Sequence, residues 1–455
     1  VDISTKEGKS EDFFNVSFST GGYFHTLAND FYRMDGRSLF LTGKLDKTAD
    51  NIPYSDFNAY SRSKDIFGTS FRTYKRNPLP DLDGGIGFGK TFDVGDQNLS
   101  LVASASIKTG DETMTDAFYR TYEASSMGSM QSDYNYNSYT QKIDIAALVD
   151  LDYTLRTSDN IGLTVFFARN AKDSHLDRHG MDYQESYNLV GRNQVTHIYT
   201  LQNYQLSGHH EIEKWHLDWG ASYTMSASDE PDRRQVMYRL GSDDQWYFFK
   251  LNQQETQRYF GRLSENELVA DIKATYMINE GDKIRFGLSA KDKVRTFRTT
   301  RFYYDVSDLN DPVTDFNNTD PYLNFDNIRD GIVTINRSKF DRDQYDASNM
   351  IGAGFVEADL QFGEKWFLNA GLRIEASRQS VDYNDDVENL TRNLDAFDFF
   401  PAINVKYDVT RKSMLRLSLS RTITRPSFIE MAPFLYQESF GGAQIRGNES
   451  LENGY

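Results

Sequence analysis

The chain has 455 residues, with 50 Lys and Arg against 67 Asp and Glu and a formal net charge of −17. That balance argues against a phosphate-backbone partner, which needs clustered cations to release counterions, so no nucleic acid is expected. The absence of Cys excludes disulfides, zinc thiolate sites and thiol chemistry.

Mean hydropathy is −0.64, and no stretch approaches the roughly eighteen uninterrupted apolar residues of a membrane helix. Hydropathy instead alternates with period two, as in strands with one apolar face. A first strand is predicted around Phe13 to Tyr23, and the Gly-rich Gly85 to Phe92 follows. Across the turn Asp93 to Asn98 come Leu99, Leu101, Ala103, Ala105 and Ile107, alternating with Ser100, Ser104, Ser106 and Lys108. Between Lys142 and Leu155 every second residue is apolar, from Ile143 through Val149 and Leu151 to Leu155. Those residues would span roughly 45 Å at about 3.3 Å each, which suits a tilted strand crossing a bilayer. Ile161, Leu163, Val165 and Phe167 return after a polar turn, and Trp215, Leu217, Trp219 and Ala221 follow the turn at Glu213-Lys214. Leu268 to Tyr276 turns into Ile284 to Ala290, Val356 to Phe362 into Trp366 to Ile374, and Ile403 to Val409 into Leu415 to Leu419. About thirteen strands are expected in all.

Tight turns alternate with long polar stretches at 24–83, 109–140, 170–196, 227–265, 297–347, 381–397 and from 425 onward. Loops of that length are uncommon in compact soluble domains. The pattern is that of a transmembrane antiparallel β-barrel with long extracellular loops and short periplasmic turns. An aromatic fraction of 14% is enough for interfacial girdles as well as loop contacts.

A more specific signal begins at Phe400. Phe400-Pro401-Ala402-Ile403-Asn404-Val405-Lys406-Tyr407-Asp408, then Leu415 through Arg421-Thr422-Ile423-Thr424-Arg425-Pro426-Ser427-Phe428, Ala432-Pro433-Phe434 and Arg446-Gly447-Asn448 with Leu451 resemble the barrel of TonB-dependent outer-membrane receptors. Gly371-Leu372-Arg373-Ile374-Glu375 is similar to another barrel strand of that family, and Val1 to Glu7 to the end of its plug domain. The very long first loop is most like receptors of Bacteroidota. The resemblance implies 22 strands enclosing an N-terminal plug that bears a TonB box. With about thirteen strands visible, the chain is expected to be part of a longer receptor, with residues 1–11 closing the plug and 12–455 forming a partial barrel. No signal peptide starts at Val1, so a mature or clipped chain is expected.

Gly84 to Gly89 superficially suggests a phosphate loop, but the glycines alternate with Ile86 and Phe88 and run on as a strand, with the glycines leaving room for a plug. His209, His210 and His216, with Glu211 and Glu213, form the densest His cluster. Along one strand His210 and His216 would lie about 20 Å apart, so no metal site is assigned. His175 and His179 fall in a predicted loop. Asp305, Asp308, Asp311, Asp315 and Asp320 lack the EF-hand glycine and read as a solvated acidic loop. The aromatic clusters Trp246-Tyr247, Tyr303-Tyr304 and Tyr134 with Tyr136 are candidate ligand contacts in extracellular loops, able to stack on a sugar or peptide. Asp144, Asp150, Asp152, Arg373, Glu375, Arg416 and Arg421 should face the lumen and a plug. They scatter along strands and converge on no nucleophile, so no enzyme is expected.

The resemblance implies an importer whose loops capture a nutrient and whose plug is pulled by TonB. Its partners would be TonB, outer-membrane lipid, an unidentified nutrient and, as in one branch of the family, a surface lipoprotein lid, with no nucleotide or redox cofactor. The rival reading is a surface adhesion or carbohydrate-binding β protein that transports nothing.

Overall fold

The computed structural model describes residues 12–34, 52–123, 128–156, 158–249, 256–337, 344–384, 387–433, 435–436 and 445–455. The plug junction expected over residues 1–11 lies outside them. In chain order the strands are β1 (Phe13–Gly21), β2 (Phe31–Met34), β3 (Thr73–Arg76), β4 (Asp81–Val94), β5 (Gln97–Tyr122), β6 (Met130–Arg156) and β7 (Asp159–Asp182). They continue with β8 (Tyr187–Ile212), β9 (Trp215–Leu240), β10 (Trp246–Phe248), β11 (Gln257–Met277), β12 (Lys283–Asp305) and β13 (Thr334–Arg337). The last are β14 (Tyr345–Phe362), β15 (Trp366–Asn384), β16 (Asn389–Thr410), β17 (Ser413–Ser420), β18 (Leu435–Tyr436) and β19 (Ile445–Arg446).

One sheet of 15 strands dominates, ordered β1-β4-β5-β6-β7-β8-β9-β11-β12-β14-β15-β16-β17, with β10 added to β9 and β13 to β12. Every pairing along this path is antiparallel and follows chain order, with only the short strands β2, β3, β10 and β13 passed over. Directly opposed residues share a face, so the register tests the alternation strand by strand. Ile86 pairs with Ala105, Ala105 with Ala147, Ala147 with Phe167, and Val165 with Tyr204. Tyr204 pairs with Tyr223, Tyr223 with Leu268, and Ala270 with Ala290. Ala290 pairs with Gly352, Val356 with Leu372, Ala370 with Ile403, and Ile403 with Leu419. The alternating apolar positions of a dozen segments therefore form one continuous face, much of it exposed (Leu268, Leu288, Val356, Leu417).

The long polar stretches are not all loops. Strands β5 to β9 run 24 to 27 residues, where about 9 to 11 suffice to cross a bilayer. The expected loops 109–140, 170–196 and 381–397 are largely paired strand, as are both ends of 227–265 and 297–347. Backbone pairing continues there, but the chain's own segments cover stretches of both faces, so the apolar–polar alternation that marks a half-buried strand disappears. His175 and His179, expected in a loop, sit in β7.

Two pieces of chain cover the far ends of the strands. The helix Tyr54–Ser63, residues 64–76 and residues 306–333 build an apolar core with Val236, Tyr238, Phe248, Phe302 and Tyr304. Strand parity puts Phe302 and Tyr304 on the same face as Leu288 and Ala290, so this cap begins where the exposed apolar series gives out. The second piece, residues 421–433, crosses the opposite, polar face. Phe428, Met431 and Ala432 pack on Tyr345, Ala347, Val381 and Tyr383. Arg446-Gly447-Asn448 docks behind it: the Asn448 amide donates to the Glu430 carbonyl at 2.8 Å, and a side chain at Gly447 would collide with the Ala432 carbonyl.

Candidate functional site

The polar face is concave. Asp83 of β4, Lys108 of β5, Asp144 of β6, Tyr199 of β8, and Glu265 and Arg295 of β11 and β12 line one cavity of about 650 Å³. Short polar residues near the turns (Ser100, Ser104, Ser106) and charged pairs farther along give this wall its chemistry. Arg295 Nε donates to Glu265 at 2.7 Å, and Lys293 lies 3.0 Å from both Glu265 and Glu267. Each cation bridges to an acid on the adjacent strand, the arrangement that antiparallel pairing permits.

Six of the polar residues selected from sequence share this face, as strand alternation requires, whereas Arg421 lies just past the end of β17, where alternation no longer sets its side. Asp150 accepts from Thr164 at 2.6 Å, Asp152 from Asn160 at 2.9 Å, and Asp144 from Asn170. Glu375 is gripped from two sides, by Arg373 Nε and Arg425 Nη2, each at 2.7 Å. Arg425 belongs to the segment that crosses the face, so this carboxylate fastens it. Arg421 approaches Asp398 at 3.8 Å, and its guanidinium lies 4.3 Å from the Tyr455 ring centre. Arg416 is exposed opposite Lys406 in the β16–β17 pair. These residues line one wall without gathering at one point.

The glycines of β4 have a specific occupant. A Cβ at Gly89 or Gly87 would meet the Phe13 ring and one at Gly85 the Ser17 hydroxyl, so the room they leave is taken by the neighbouring strand β1.

The aromatic candidates divide between packing and surface. Tyr304 is 3% exposed in the cap core, and Trp246 packs against the same core, edge-on to Phe316. Tyr134 is buried with Leu189, Met237 and Phe249, and Arg178 lies 5.4 Å from its ring centre. Tyr247 donates to Asp243 at 2.6 Å. Tyr303 and Tyr136 are half-buried. Tyr134 and Tyr136 stand in β6, Tyr303 and Tyr304 in β12, and Trp246 and Tyr247 in β10; none lies in an irregular loop. The acidic run of β12 and beyond caps its own turns, with Asp305 accepting from the Ser307 amide at 3.0 Å and Asp315 from that of Asn317 at 2.9 Å.

A buried charge cluster holds the cap and had no sequence signature. Arg258 is 2% exposed, donates at 2.8 Å to both oxygens of Asp232 and to the Thr69 hydroxyl, and stacks between Phe67 and Phe71 at 4.4 and 4.8 Å. It also donates to the Tyr304 hydroxyl at 3.0 Å and to the Thr69 carbonyl. Burial pushes the Tyr304 phenol up to about 12. Burial alone would raise the Asp232 carboxyl, but the Arg258 and Arg234 guanidiniums and the Thr69 hydroxyl hold it below its ordinary value. Asp232 has φ 59°, tolerable for an Asp, at a bulge where β9 and β11 change register.

The His cluster corrects the distance argument made along a single strand. Glu213-Lys214 is the turn of the β8–β9 hairpin, so Glu211 faces His216 and His209 faces Asp218. His210 belongs to the other face, where its Nε2 accepts from Trp219 Nε1 at 3.1 Å. His209, Glu211 and His216 bring three donor atoms within 4.8 Å of one another. His216 Nδ1 is 3.2 Å and His209 Nε2 3.6 Å from Glu211 Oε1, while His209 Nδ1 lies 2.6 Å from Asp218.

Among known proteins, the toluene transporter TodX of Pseudomonas putida is similar in structure, in two crystal structures. One shows 8% identity over 76% of this chain and 82% of that one, the other 10% over 77% and 82%, each with a TM-score of 0.24. No curated protein matches the chain. Residues 313–453 match the model of the outer membrane protein beta-barrel family. With an antiparallel sheet whose apolar positions form one continuous face, that match places the chain in the outer membrane.

Proposed function

We propose that this chain forms wall and extracellular cap of an outer-membrane receptor that imports a nutrient through a plugged, TonB-energised barrel. The observation that carries the reading is the register. It gives a dozen strands one exposed apolar face toward lipid and one concave face of Lys–Glu and Arg–Glu pairs toward the interior. A wall lined with fixed, mutually neutralised charges suits a polar passage and a removable plug, since each group has a partner when the plug is out. β1 and β17 each lack a second neighbour in the described sheet, and a strand edge in hydrocarbon leaves donors and acceptors costing several kcal/mol each. Closure therefore calls for further strands between them, in keeping with the 22 of TonB-dependent receptors. Of the residues resembling that family, Phe400 to Phe428 fall in β16, β17 and the segment that crosses the concave face, and Arg446-Gly447-Asn448 docks behind that segment.

The test compares cells carrying the full receptor gene with deletion cells, following loss of nutrients from a defined medium by mass spectrometry. At least one compound should disappear only from cells that have the receptor, TonB and a proton-motive force. Identical depletion profiles, or uptake that survives loss of TonB, would overturn energised import.

A further inference from the structure

We propose that the β8–β9 hairpin binds a divalent transition-metal ion of the zinc class through His209 Nε2, Glu211 and His216 Nδ1. The hairpin places all three on the polar face beside its turn, on paired backbone. Zinc bonds to nitrogen and oxygen of about 2.0 to 2.2 Å in a tetrahedron put neighbouring ligand atoms about 3.3 to 3.5 Å apart. The observed separations from Glu211 Oε1, 3.2 Å to His216 Nδ1 and 3.6 Å to His209 Nε2, already match that edge. All three ligand atoms lie within 4.8 Å of one another.

The surroundings fit a ligand set. A carboxylate only accepts, so Asp218 at 2.6 Å holds a proton on His209 Nδ1, and Nε2, on the Glu211 side, is the nitrogen that a metal ion would take in place of a proton. This is the carboxylate–histidine support that orients metal-bound imidazoles. Lys273 lies 3.1 Å from the other Asp218 oxygen, so its charge is met by that carboxylate. Two imidazoles and one carboxylate select zinc and its neighbours over calcium or magnesium, which prefer all-oxygen shells. Three protein ligands leave a fourth position for water or a donor from a bound molecule. All four side chains are roughly one-third exposed, so the ion can enter.

The full chain, freed of metal with a chelator and dialysed, is titrated with ZnCl2 against a chromophoric competitor at pH 7.5. One ion per chain is expected. His209→Ala and His216→Ala should each weaken binding more than tenfold, and Asp218→Asn about 10- to 100-fold through the lost orientation. His210→Ala, on the opposite face, should change nothing. Cobalt(II) added to the unmodified chain should give the intense visible absorption of a tetrahedral site, a readout that needs no variant to fold. The proposal is overturned if the unmodified chain binds no zinc, if cobalt gives only the weak octahedral spectrum, or if His210→Ala loses as much affinity as His216→Ala.

Discussion

Asp232→Asn isolates the charge that holds the cap to the sheet. Asn tolerates the left-handed φ of 59° and keeps the shape of Asp, so backbone strain does not enter. What changes is that Arg258, 2% exposed and stacked between two Phe rings, loses its counter-charge while remaining cationic. Removing one partner of a buried pair costs roughly 3 to 5 kcal/mol, or about two to nearly four decades in an opening equilibrium. The Thr69 and Tyr304 hydroxyls retain part of the bonding, so the lower end is expected. Hydrogen exchange followed by mass spectrometry reads the effect in peptides covering 64–74, which should lose protection about 100-fold while β5 and β6 hold theirs. Adding Arg258→Met should restore much of it, because no unpaired charge then stays buried. Acid works on the same pair. The Asp232 carboxyl is depressed in the folded chain, so its stabilisation is complete above the unfolded value of about 3.9 and is lost as pH falls through the folded one. The segment should stay protected at pH 5 and open only in stronger acid. Protection unchanged in Asp232→Asn would show that the aromatic stack, and not the ion pair, holds the cap.

Spin labels at Leu151, Leu217 and Leu372 should report lipid and labels at Asp150, Asp218 and Arg373 water, and Leu151→Arg should cost roughly 2 to 4 kcal/mol in a refolding titration; water at all six positions would remove the membrane wall. Glu375→Gln leaves Arg373 and Arg425 facing each other without their shared acid, so residues 425–433 should exchange faster, while Arg378→Gln, at an exposed pair, should have no such effect. In intact cells trypsin should not cut at Lys214, Lys365 or Arg411-Lys412 in the short turns, and cleavage there without permeabilisation would reverse the topology.

The sheet was legible wherever one face meets an apolar surface and the other does not. Leu151, Leu217 and Leu372 follow that rule, and the structure keeps them on a single face through every strand between. Beyond them the same strands continue with no alternation to announce it. In β6, Tyr134 and Tyr139 are both buried although they face opposite ways, one in a pocket with Met237 and the other against Phe31. The contacts that bury them come from residues far away in sequence, so polarity along β6 carries no period and reads as loop.

Side-chain clusters divide in the same way, by whether their geometry is set locally. The His209–Glu211–His216 arrangement was within reach of the sequence, since a two-residue turn at Glu213-Lys214 dictates that Glu211 opposes His216. Spacing measured along the strand hid it, because a hairpin folds distance back on itself. Arg258, Asp232 and Thr69 offer no such clue: they are separated by 26 and 163 residues and meet only because the first long segment returns over the sheet. A lone Arg in a polar stretch reads as solvated. Its burial becomes intelligible only with Phe67 and Phe71 on either side, where a delocalised guanidinium can meet ring faces, a carboxylate and a backbone carbonyl at once. Near the turns this protein can be read from polarity one strand at a time, because lipid imposes the same demand on each. At the far ends each residue answers to a different neighbour, and only the assembled chain supplies the rule.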